Sequence, residues 1–512
     1  MREKSIFLLF CFALLPCVLW GAGERQAGQA AGAAKPEITV SIFDRGWVPA
    51  SEGTMEDNRW TRWINENSPV NVKFVPVLRS ESTNRILTLF AAGTAPDMVT
   101  DYGKGWVDRL YGEGVIQPVE EHIEKYSVEY KQYLKEHHEL RPYTLADDGK
   151  QYGMTSARNI WSTANEAIFI RKDWLDKFDL QPPKTSDELL TFLRRVRDED
   201  PDGNGQNDTI GIGFNPIYLG VIGTTFGSCG FLVENGHYTD WTTTTGYRDY
   251  LAFMALLYRE KLIDQEYVTD PQGNRMRQQL LTGKTGIWLD AFSTQMMNDI
   301  FDLKKNVPQA ELITIDPWRT SQGLFDLGLA SPDYYMNCMN KDAKSPEAVI
   351  KYLDWMISEG WWTLTFGLEG RHYRLVNGIP QNIDSQLNGV EIGYLQEYTP
   401  VTQYQITPEW FPIRASADAD GQMWAKMQSA FYGARMDDKP LQFVPYTPAT
   451  DLSRQFGSET SEAVRAVETN IIIGNVSLDE GLKQINDIKA KAGWDALIKE
   501  RDDWYQKNKS NF

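Results

Sequence analysis

The stretch Glu37–Phe43 is EITVSIF, and it is followed by VNVKFVPV at Val70–Val77 and PDMVT at Pro96–Thr100. Each stretch is short, apolar and rich in β-branched residues, which favours a buried strand. The intervening segments Asn58–Asn67 and Ser80–Ala92 carry apolar residues at helical spacing. This β-α-β-α-β order predicts a parallel sheet flanked by helices.

The middle of the chain repeats this pattern. Strands are expected at Ala167–Ile170 and Thr285–Leu289, and Thr185–Glu188 has the spacing of a helix capping box. Helices are also expected at Ser345–Met356, which begins Ser-Pro-Glu, and over Ser477–Asn508. No internal period of about 20 to 50 residues occurs, which argues against a solenoid.

Length and charge limit the class of protein. The chain has 512 residues, with 70 acidic and 52 basic side chains and a formal charge of −18. A chain of this length exceeds what one hydrophobic core supports, so two or more lobes are expected. The negative charge argues against nucleic acid or an anionic membrane as a partner of the folded body. A locally basic pocket for an acidic ligand remains compatible with it.

The N-terminus has the composition of an export signal. Arg2 and Lys4 precede an apolar run, Ile6–Trp20, and small residues follow it. We therefore expect a signal peptide over residues 1–23 and a flexible tether over residues 24–36, which are rich in Ala, Gly and Gln. The protein is expected in the periplasm or at the outer face of the cytoplasmic membrane.

The cysteines leave two questions open. Cys17 follows Leu-Leu-Pro, which partly matches the motif for N-terminal lipidation, but Pro16 stands where a small residue is usual. Simple cleavage near Gly23 is the alternative. Cys229 and Cys338 could form one disulfide in an oxidising compartment, or both could remain reduced thiols.

Seven segments resemble, in order, the family 1 extracellular solute-binding proteins of ABC importers. The similarity is to the large branch that includes the alginate-binding proteins and the LipO-type lipoproteins. No single segment is specific, but together they span nearly the whole mature chain. The segments are Leu87–Val99 (LTLFAAGTAPDMV), Ile168–Leu180 (IFIRKDWLDKFDL), Pro183–Leu190 (PKTSDELL), Asp200–Gly213 (DPDGNGQNDTIGIG), Gly283–Leu289 (GKTGIWL), Gly367–Tyr373 (GLEGRHY) and Val476–Leu482 (VSLDEGL).

The resemblance implies an α/β fold of two lobes, joined by about three crossing segments that act as a hinge. Residues 37–155 and 330–395 would form the N-terminal lobe, and residues 156–329 and 396–512 the C-terminal lobe. The region Gly153–Arg158 is the expected first crossing. The implied function is the substrate-binding component of an ABC importer, a monomer that captures a carbohydrate, expected to be an oligosaccharide. It would deliver this ligand to the membrane permease.

One loop has the pattern of a calcium site. Oxygen-bearing side chains recur at every second position of DPDGNGQND, with glycines between them, and Ca²⁺ takes six to eight oxygen ligands. The resembling family often has Glu after the last Asp, where this chain has Thr209. A turn stabilised by Asn and Asp hydrogen bonds is the alternative. The expected ligands of a structural Ca²⁺ are the side chains of Asp200, Asp202, Asn204 and Asp208 and the carbonyl of Gln206.

Aromatic and arginine side chains in loops after strands are the candidate ligand contacts. Aromatic faces stack on sugar rings, and a guanidinium binds hydroxyls or carboxylates with a planar fork. Two or more arginines in the cleft would favour an acidic sugar, and none would favour a neutral one. Trp174, Trp355 and Trp424 lie in helical segments and are assigned to packing. The predicted contacts are Arg45, Trp47, Asp101, Tyr102, Arg158, Trp161, Trp288, Asp290, Trp318, Arg371 and Tyr373.

The main alternative function is a secreted glycan-degrading enzyme, a hydrolase or lyase, because its two carboxylates could lie anywhere in the sequence. The sequence contains no G-x-S-x-G, H-E-x-x-H or G-x-x-x-x-G-K-[ST] motif. Its five histidines show no metal-ligand spacing, and a structural surface protein is a third, weaker hypothesis. We therefore predict a binding protein without enzymatic activity.

Overall fold

The computed structural model describes residues 34–158, 166–228, 231–325, 331–415, 418–435 and 451–509. The chain divides into two units, Met1–Lys35 and Pro36–Phe512, and the description below concerns the second. The predicted signal peptide with Cys17, nearly all of the tether, Trp161 and Cys229 lie outside the described residues. Cys338 is a buried free thiol.

The strands of the second unit form two main sheets and two hairpins. The three N-terminal strands agree with the predicted ones to within two residues at either end. The strands are β1 (Glu37–Asp44), β2 (Asn71–Leu78), β3 (Met98–Tyr102), β4 (Gly153–Met154), β5 (Glu166–Arg171), β6 (Ile210–Phe214), β7 (Val233–Glu234), β8 (His237–Tyr238), β9 (Thr285–Ala291), β10 (Leu312–Ile315), β11 (Tyr335–Met339), β12 (Tyr373–Val376) and β13 (Ile379–Asn382).

Helices occupy most of the remaining described chain. A π-helical turn at Met356–Gly360 joins α13 to α14. The helices are α1 (Arg59–Asn67), α2 (Ser82–Ala91), α3 (Lys104–Gly112), α4 (Glu120–Tyr126), α5 (Glu129–Glu136), α6 (Arg141–Thr144), α7 (Lys172–Lys177), α8 (Ser186–Asp198), α9 (Gly220–Thr224), α10 (Thr245–Arg259), α11 (Asn274–Leu281), α12 (Thr294–Asn306), α13 (Pro346–Trp355), α14 (Trp361–Phe366), α15 (Ser385–Glu391), α16 (Trp410–Arg414), α17 (Ala419–Arg435), α18 (Asp451–Ile472), α19 (Leu478–Lys491) and α20 (Trp494–Asn508). Among the described helices, none combines the length and the apolar content needed to cross a bilayer.

The first sheet has the strand order β2-β1-β3-β11-β4. β1 is parallel to β2 and β3, whereas β11 is antiparallel to β3 and β4. Alternate side chains of β1 enter different cores: Val40 and Ile42 pack on one face, and Phe43 packs on the other. The sheet is therefore covered by helices on both faces, as the β-α-β pattern predicts. We call it and its helices the first lobe.

The second sheet has the order β10-β5-β9-β6. Its middle strand β5 is apolar at consecutive positions, and Ala167–Ile170 are all fully buried. Such a run is expected where helices cover both faces of a sheet. One continuous core joins this sheet to α8, α10, α12 and α17, and we call this assembly the second lobe.

Two helix starts show how local sequence sets the fold. The Asn58 side chain caps α1 by accepting the N–H groups of Trp60 and Thr61, and the Thr61 hydroxyl oxygen accepts the Asn58 N–H. At α8 the Thr185 hydroxyl accepts the Glu188 N–H, as predicted. The Glu188 carboxylate accepts the N–H of Lys184 at 2.7 Å, one residue earlier than a capping box requires.

The buried amide of Asn337 joins the segments that cross between the lobes. Its Nδ2 donates to the carbonyl oxygens of Met154 at 2.9 Å and Pro400 at 3.0 Å. Its Oδ1 accepts the hydroxyl of Thr100 at 2.7 Å. Since these partners are far apart in sequence, one side chain of β11 ties three segments of the chain together.

Further bonds complete the hinge beside Asn337. The Ser156 carbonyl accepts the N–H of Tyr334 at 2.9 Å, and its hydroxyl oxygen accepts the N–H of Thr402 at 3.0 Å. Gln405 donates its side-chain amide to the Arg158 carbonyl at 3.1 Å. The predicted first crossing, Gly153–Arg158, therefore lies between the two other crossing segments.

The packing around the third crossing favours a position later in the chain than residues 395 and 396, the boundary that the sequence predicts. Tyr398 and Val401 are buried in the core of the first lobe, whereas Phe411 packs against that of the second. We therefore propose that the chain leaves the first lobe between Val401 and Phe411. The other lobe boundaries remain as proposed from the sequence.

Replacing Asn337 with Ala should destabilise the protein by about 2–4 kcal/mol, because two buried carbonyls and one hydroxyl lose their partner. Urea unfolding followed by tryptophan fluorescence measures this as a lower midpoint. Asn67→Ala is the matched control, since Asn67 makes an exposed bond to the Trp63 carbonyl. Equal midpoints for the two variants would contradict the role given to Asn337.

Candidate ligand-binding site

A cavity of about 980 Å³ lies between the lobes. Helices α12 and α17 of the second lobe form one wall, and the β13–α15 region forms the opposite wall. Arg158, Tyr334 and Tyr404, which belong to the crossing segments, line the cavity at the hinge. The volume suits a ligand of several rings, since small-molecule pockets range over ~300–1,000 Å³.

Aromatic side chains supply much of the apolar surface of this cavity. Phe292 and Trp424 lie with ring centroids 4.9 Å apart, and Phe411 stacks on Tyr432 at 5.4 Å. Asn382, Gln386 and Gln428 add amide groups to the lining. Flat apolar faces beside hydrogen-bonding groups match the two kinds of surface on a sugar ring.

A second cavity of about 240 Å³ adjoins the first, because Tyr334 and Tyr404 line both. Its polar lining comes from Thr365, Gln396 and Thr402. These hydroxyl and amide groups carry no formal charge. A ligand too long for the larger cavity could therefore extend past the two tyrosines into a neutral polar compartment.

A row of aromatic side chains runs from the cavity along the first lobe. Tyr334 contacts Tyr335 with centroids 4.4 Å apart, and Tyr335 contacts Tyr102 at 4.9 Å. The Arg45 guanidinium donates to the Tyr102 hydroxyl at 2.9 Å and lies 5.0 Å from the Trp47 ring centroid. Three predicted contact residues, Arg45, Trp47 and Tyr102, are thus brought together, and Trp47 is 45% exposed.

Arg45 is itself held by an ion pair. Its Nε lies 2.8 Å from Oε1 of Glu397, whose other oxygen accepts the Tyr335 hydroxyl at 3.2 Å. Burial raises the pKa of Glu397, and the charge of Arg45 opposes that rise. The pair orients the Trp47 end of the row and leaves Arg45 with little free charge for a ligand.

Four other predicted contacts are buried in the lobes. Asp101 accepts the Ser82 hydroxyl at 2.8 Å and so fixes the start of α2. Trp288 packs across Gly213, where an added Cβ would lie 2.8 Å from the indole ring, and its Nε1 donates to Asp290 at 3.1 Å. Trp318 is 0% exposed. We leave these four residues out of the proposed contact set.

Arg371 and Tyr373 belong to a polar network in the first lobe. The Glu391 carboxylate is bonded by Arg371 at 2.7 Å, by His372 at 2.9 Å and by Arg59 at 2.6 Å. The bonds from Arg371 and His372 hold the pKa of Glu391 at about 2. The Tyr373 hydroxyl accepts Nε1–H of Trp362 at 2.8 Å. These contacts give both side chains a structural role.

The loop predicted to bind calcium brings its oxygens together. The Asp200 carboxylate accepts N–H groups of Gly203, Asn204 and Gly205. The Asn204 amide donates to Asp202 at 2.9 Å and to Asp208 at 3.0 Å. Among the described residues, no group of three or more His, Cys, Asp or Glu side chains has a ready metal-binding arrangement.

Charge in this loop is only partly balanced. Lys284 forms an ion pair with Asp208 and lowers the pKa of that carboxyl. Burial and the neighbouring Asp200 carboxyl raise the pKa of Asp202. The Thr209 hydroxyl donates to the Val196 carbonyl and is buried, so it does not face the loop. A cation between the carboxylates would relieve their repulsion.

The hinge contains a buried carboxyl that sequence reasoning missed. Asp333 is 1% exposed, and its carbonyl accepts Nε–H of Arg158 at 2.9 Å. Within the described part of the chain, neither of its carboxyl oxygens has a hydrogen-bond partner. Burial raises the pKa of Asp333 to about 6, although the Arg158 charge acts against this.

An α/β body with two lobes, three crossing segments and a large cavity between them is the architecture of a hinged binding protein. A family model described as bacterial extracellular solute-binding protein matches residues 56–361, more than half of the chain. The chain belongs to this family, and the family resemblance expected from the sequence is confirmed.

Curated relatives come from Bacillus subtilis (strain 168). The polygalacturonan/rhamnogalacturonan-binding protein YtcQ is 26% identical over 404 residues, which cover 73% of this chain and 74% of YtcQ. Lipoprotein LipO is 24% identical over 390 residues, which cover 71% of this chain and 72% of LipO. Both relatives align along most of their length.

Solved structures confirm the two-lobe fold. The alginate-binding protein AlgQ2 without calcium ion has a TM-score of 0.68 at 20% identity, covering 93% of this chain and 99% of AlgQ2. An HMO-binding, ABC-transporter-associated solute-binding protein from Bifidobacterium longum infantis has a TM-score of 0.72 at 18% identity. That match covers 92% of this chain and 99% of the other.

Burial of the Asp333 carboxyl predicts that its contribution to the stability of the protein falls as the pH rises. The pKa of Asp333 rises from 3.8 to about 6 on folding, so the folded protein binds more protons between pH 4 and 6. Its contribution to stability is therefore present at pH 4 and lost as the pH rises through 6. Relative to Asp333→Asn, the native chain should lose about 2–3 kcal/mol between pH 4 and 7.

Urea unfolding of the native protein and of Asp333→Asn across this pH range measures the difference in their stability. Other titrating groups contribute equally to the two proteins and cancel in that difference. Asp147→Asn is the control, since Asp147 is exposed in a turn. A stability difference between the native protein and Asp333→Asn that stays constant from pH 4 to 7 would refute the assignment.

Proposed function

We propose that this protein is the extracytoplasmic substrate-binding component of an ABC importer and that it captures an oligosaccharide between its lobes. The observation that carries the proposal is the interlobe cavity, with aromatic faces such as Trp424 and Tyr432 beside the Gln386 amide. Stacking surfaces and hydrogen-bonding groups are the combination that sugar recognition needs. The adjoining cavity favours an oligosaccharide over a single sugar.

The relatives support a carbohydrate ligand. YtcQ is named for binding polygalacturonan and rhamnogalacturonan, AlgQ2 for binding alginate, and the Bifidobacterium protein is described as ABC-transporter associated. The family is one of binding proteins. Delivery to permease subunits in the membrane and action as a monomer are part of the proposal.

Capture would work by hinge closure. A ligand that touches both walls of the cavity stabilises the closed arrangement over the open one, since it gains contacts only when the walls approach. Tyr334 and Tyr404 sit where the walls meet. The proposed contact set is Arg158, Tyr334 and Tyr404 at the hinge, Gln386 and Trp424 on the walls, and Trp47 and Tyr102 along the aromatic row.

A saccharide panel tests this function. A bound oligosaccharide should raise the melting temperature of the purified protein, and no shortened product should appear on prolonged incubation. Chromatography of the sugar after incubation separates the receptor from a glycan-degrading enzyme. Cleaved sugar would favour the enzyme.

Trp47→Ala should weaken oligosaccharide binding by about five- to thirty-fold, the equivalent of one aromatic contact. Isothermal titration with the best ligand from the panel measures the change. Trp47→Phe keeps an aromatic face and should recover most of the affinity. Equal affinities for the native protein and Trp47→Ala would remove the aromatic row from the binding site.

We also propose that the loop Asp200–Asp208 binds a structural Ca²⁺. The side chains of Asp200, Asp202, Asn204 and Asp208 and the carbonyl of Gln206 would hold it, because hard oxygen donors suit this ion. The description of AlgQ2 as lacking its calcium ion supports the idea that related folds bind the metal. The raised pKa of Asp202 fits a site that is short of positive charge.

Calcium at a hundred times its dissociation constant should stabilise the protein by about 2.7 kcal/mol. Melting curves in EGTA and in Ca²⁺, with elemental analysis of the protein, measure this effect. Asp202→Asn should lose the response to calcium, yet be no less stable than the native chain in EGTA, because it removes like-charge repulsion. Asp147→Asn should respond normally. No melting shift and no bound calcium would refute the site.

Export is the remaining element of the proposal. We propose that the mature protein resides in the periplasm or at the outer face of the cytoplasmic membrane. The similarity to lipoprotein LipO supports lipidation at Cys17. Cleavage near Gly23 would instead release an unmodified chain, and the mass of the mature N-terminus distinguishes the two.

A further inference from the structure

The charges on the wall of the larger cavity differ in sign from those of the whole protein. Arg158 and Arg414 line this cavity, and Asp418 is the acidic residue in the described lining. The chain as a whole carries −18. A cavity with excess positive charge in so acidic a protein points to an anionic ligand.

Most other arginines of the described chain are neutralised by a nearby carboxylate. Such pairs are spread over both lobes and involve buried and exposed groups alike. Examples are Arg45 with Glu397, Arg59 with Glu52, Arg171 with Asp173, Arg194 with Glu260 and Arg371 with Glu391. An arginine that lines the larger cavity without such a partner therefore keeps its charge available to a ligand.

Arg414 has no ion-pair partner among the described residues. It ends α16, and its guanidinium contacts the Tyr404 hydroxyl. It lies 5.1 Å from the Phe366 ring centroid and 5.4 Å from that of Tyr404, and its buried Nε–H has no acceptor in the residues that the structure describes. Aromatic packing thus orients a full positive charge at the cavity without balancing it.

Arg158 adds a second, weaker positive group at the hinge. Its Nε donates to the Asp333 carbonyl at 2.9 Å, and the Arg158 carbonyl accepts the side-chain amide of Gln405 at 3.1 Å. The Asp333 carboxyl lies close enough to feel its charge, although it accepts no hydrogen bond. Because that carboxyl partly balances Arg158, we expect Arg414 to contribute more to ligand binding.

Asp418 does not offset these two charges fully. Its Oδ1 accepts the N–H of Gly421 at 2.8 Å, in the first turn of α17. The N-terminus of a helix carries a partial positive charge, which compensates a carboxylate placed there. Asp418 is therefore in part neutralised by its own helix, and the excess charge of the cavity remains positive.

We infer that the ligand is an oligosaccharide that carries carboxylates, of the uronate type, and that Arg414 and Arg158 bind those groups. A planar guanidinium matches a carboxylate with two parallel hydrogen bonds. The aromatic faces of the same cavity take the sugar rings. This inference rests on the proposed function and adds the charge of the substrate.

The test compares ligands that differ only in charge. Tetramers of galacturonate and mannuronate, their methyl esters, a sulfated tetramer and neutral tetramers are titrated against the native protein by calorimetry. The native protein should bind a uronate at least about ten-fold tighter than its ester, and added salt should weaken the uronate alone.

Substitutions of Arg414 and Arg158 test whether these side chains cause the preference for a uronate. Arg414→Gln should weaken uronate binding about ten- to a hundred-fold and weaken binding of the ester much less, while Arg414→Lys retains an intermediate affinity. Arg158→Gln should have a smaller effect of the same kind. Arg85→Gln, on the exposed face of α2, is the control and should bind like the native protein. Unliganded melting temperatures verify that each variant is folded.

The outcomes separate this inference from the proposed function. Preference for a neutral, esterified or sulfated tetramer would overturn the uronate assignment while leaving a sugar receptor. Uronate binding that Arg414→Gln does not weaken would overturn the role of Arg414. Binding of no saccharide at all would overturn the proposed function itself.

Discussion

The Asn337 amide allows three backbone segments to cross side by side between the lobes. It lies on one of these segments and bonds to the other two. Strand β4 lies at the edge of the first sheet and the segment around Pro400 lies outside the sheets, so their buried carbonyls need partners from elsewhere. Asn337 supplies two donors to Met154 and Pro400 and accepts from Thr100. The amide thereby holds the ends of two crossing segments beside β11.

Local sequence patterns are enough to predict the secondary structure from which the lobes are built. The strands β1 to β3 and the start of α1 at Asn58 depend on periodicity and capping within a few residues, and the structure has them where they were expected. The sequence also predicts a crossing at Gly153–Arg158, since this region separates two β/α blocks. The proposed exit after Val401 has no such local pattern, because it rests on the packing of Tyr398 in the core of the first lobe.

The binding site was harder to predict for a physical reason. The sequence predicts ligand contacts in loops after strands, but the walls of the cavity are largely helical, from α12, α15 and α17. The helical pattern around Trp424 predicts a packing role; its ring does pack in the core, and it also lines the cavity. Arg414 has no ion-pair partner in the described part of the chain and packs against Phe366 and Tyr404, a proximity that no short sequence pattern reveals.

Tyr334 occupies an unusual position, since it lies on a crossing segment and also lines both cavities. Its backbone N–H is bonded to Ser156 on the neighbouring crossing segment. A ligand ring resting on Tyr334 would contact the hinge as well as the cavity. Ligand binding in the cavity and the angle between the lobes would then be coupled directly at this one residue. No chain of contacts through either lobe would be needed.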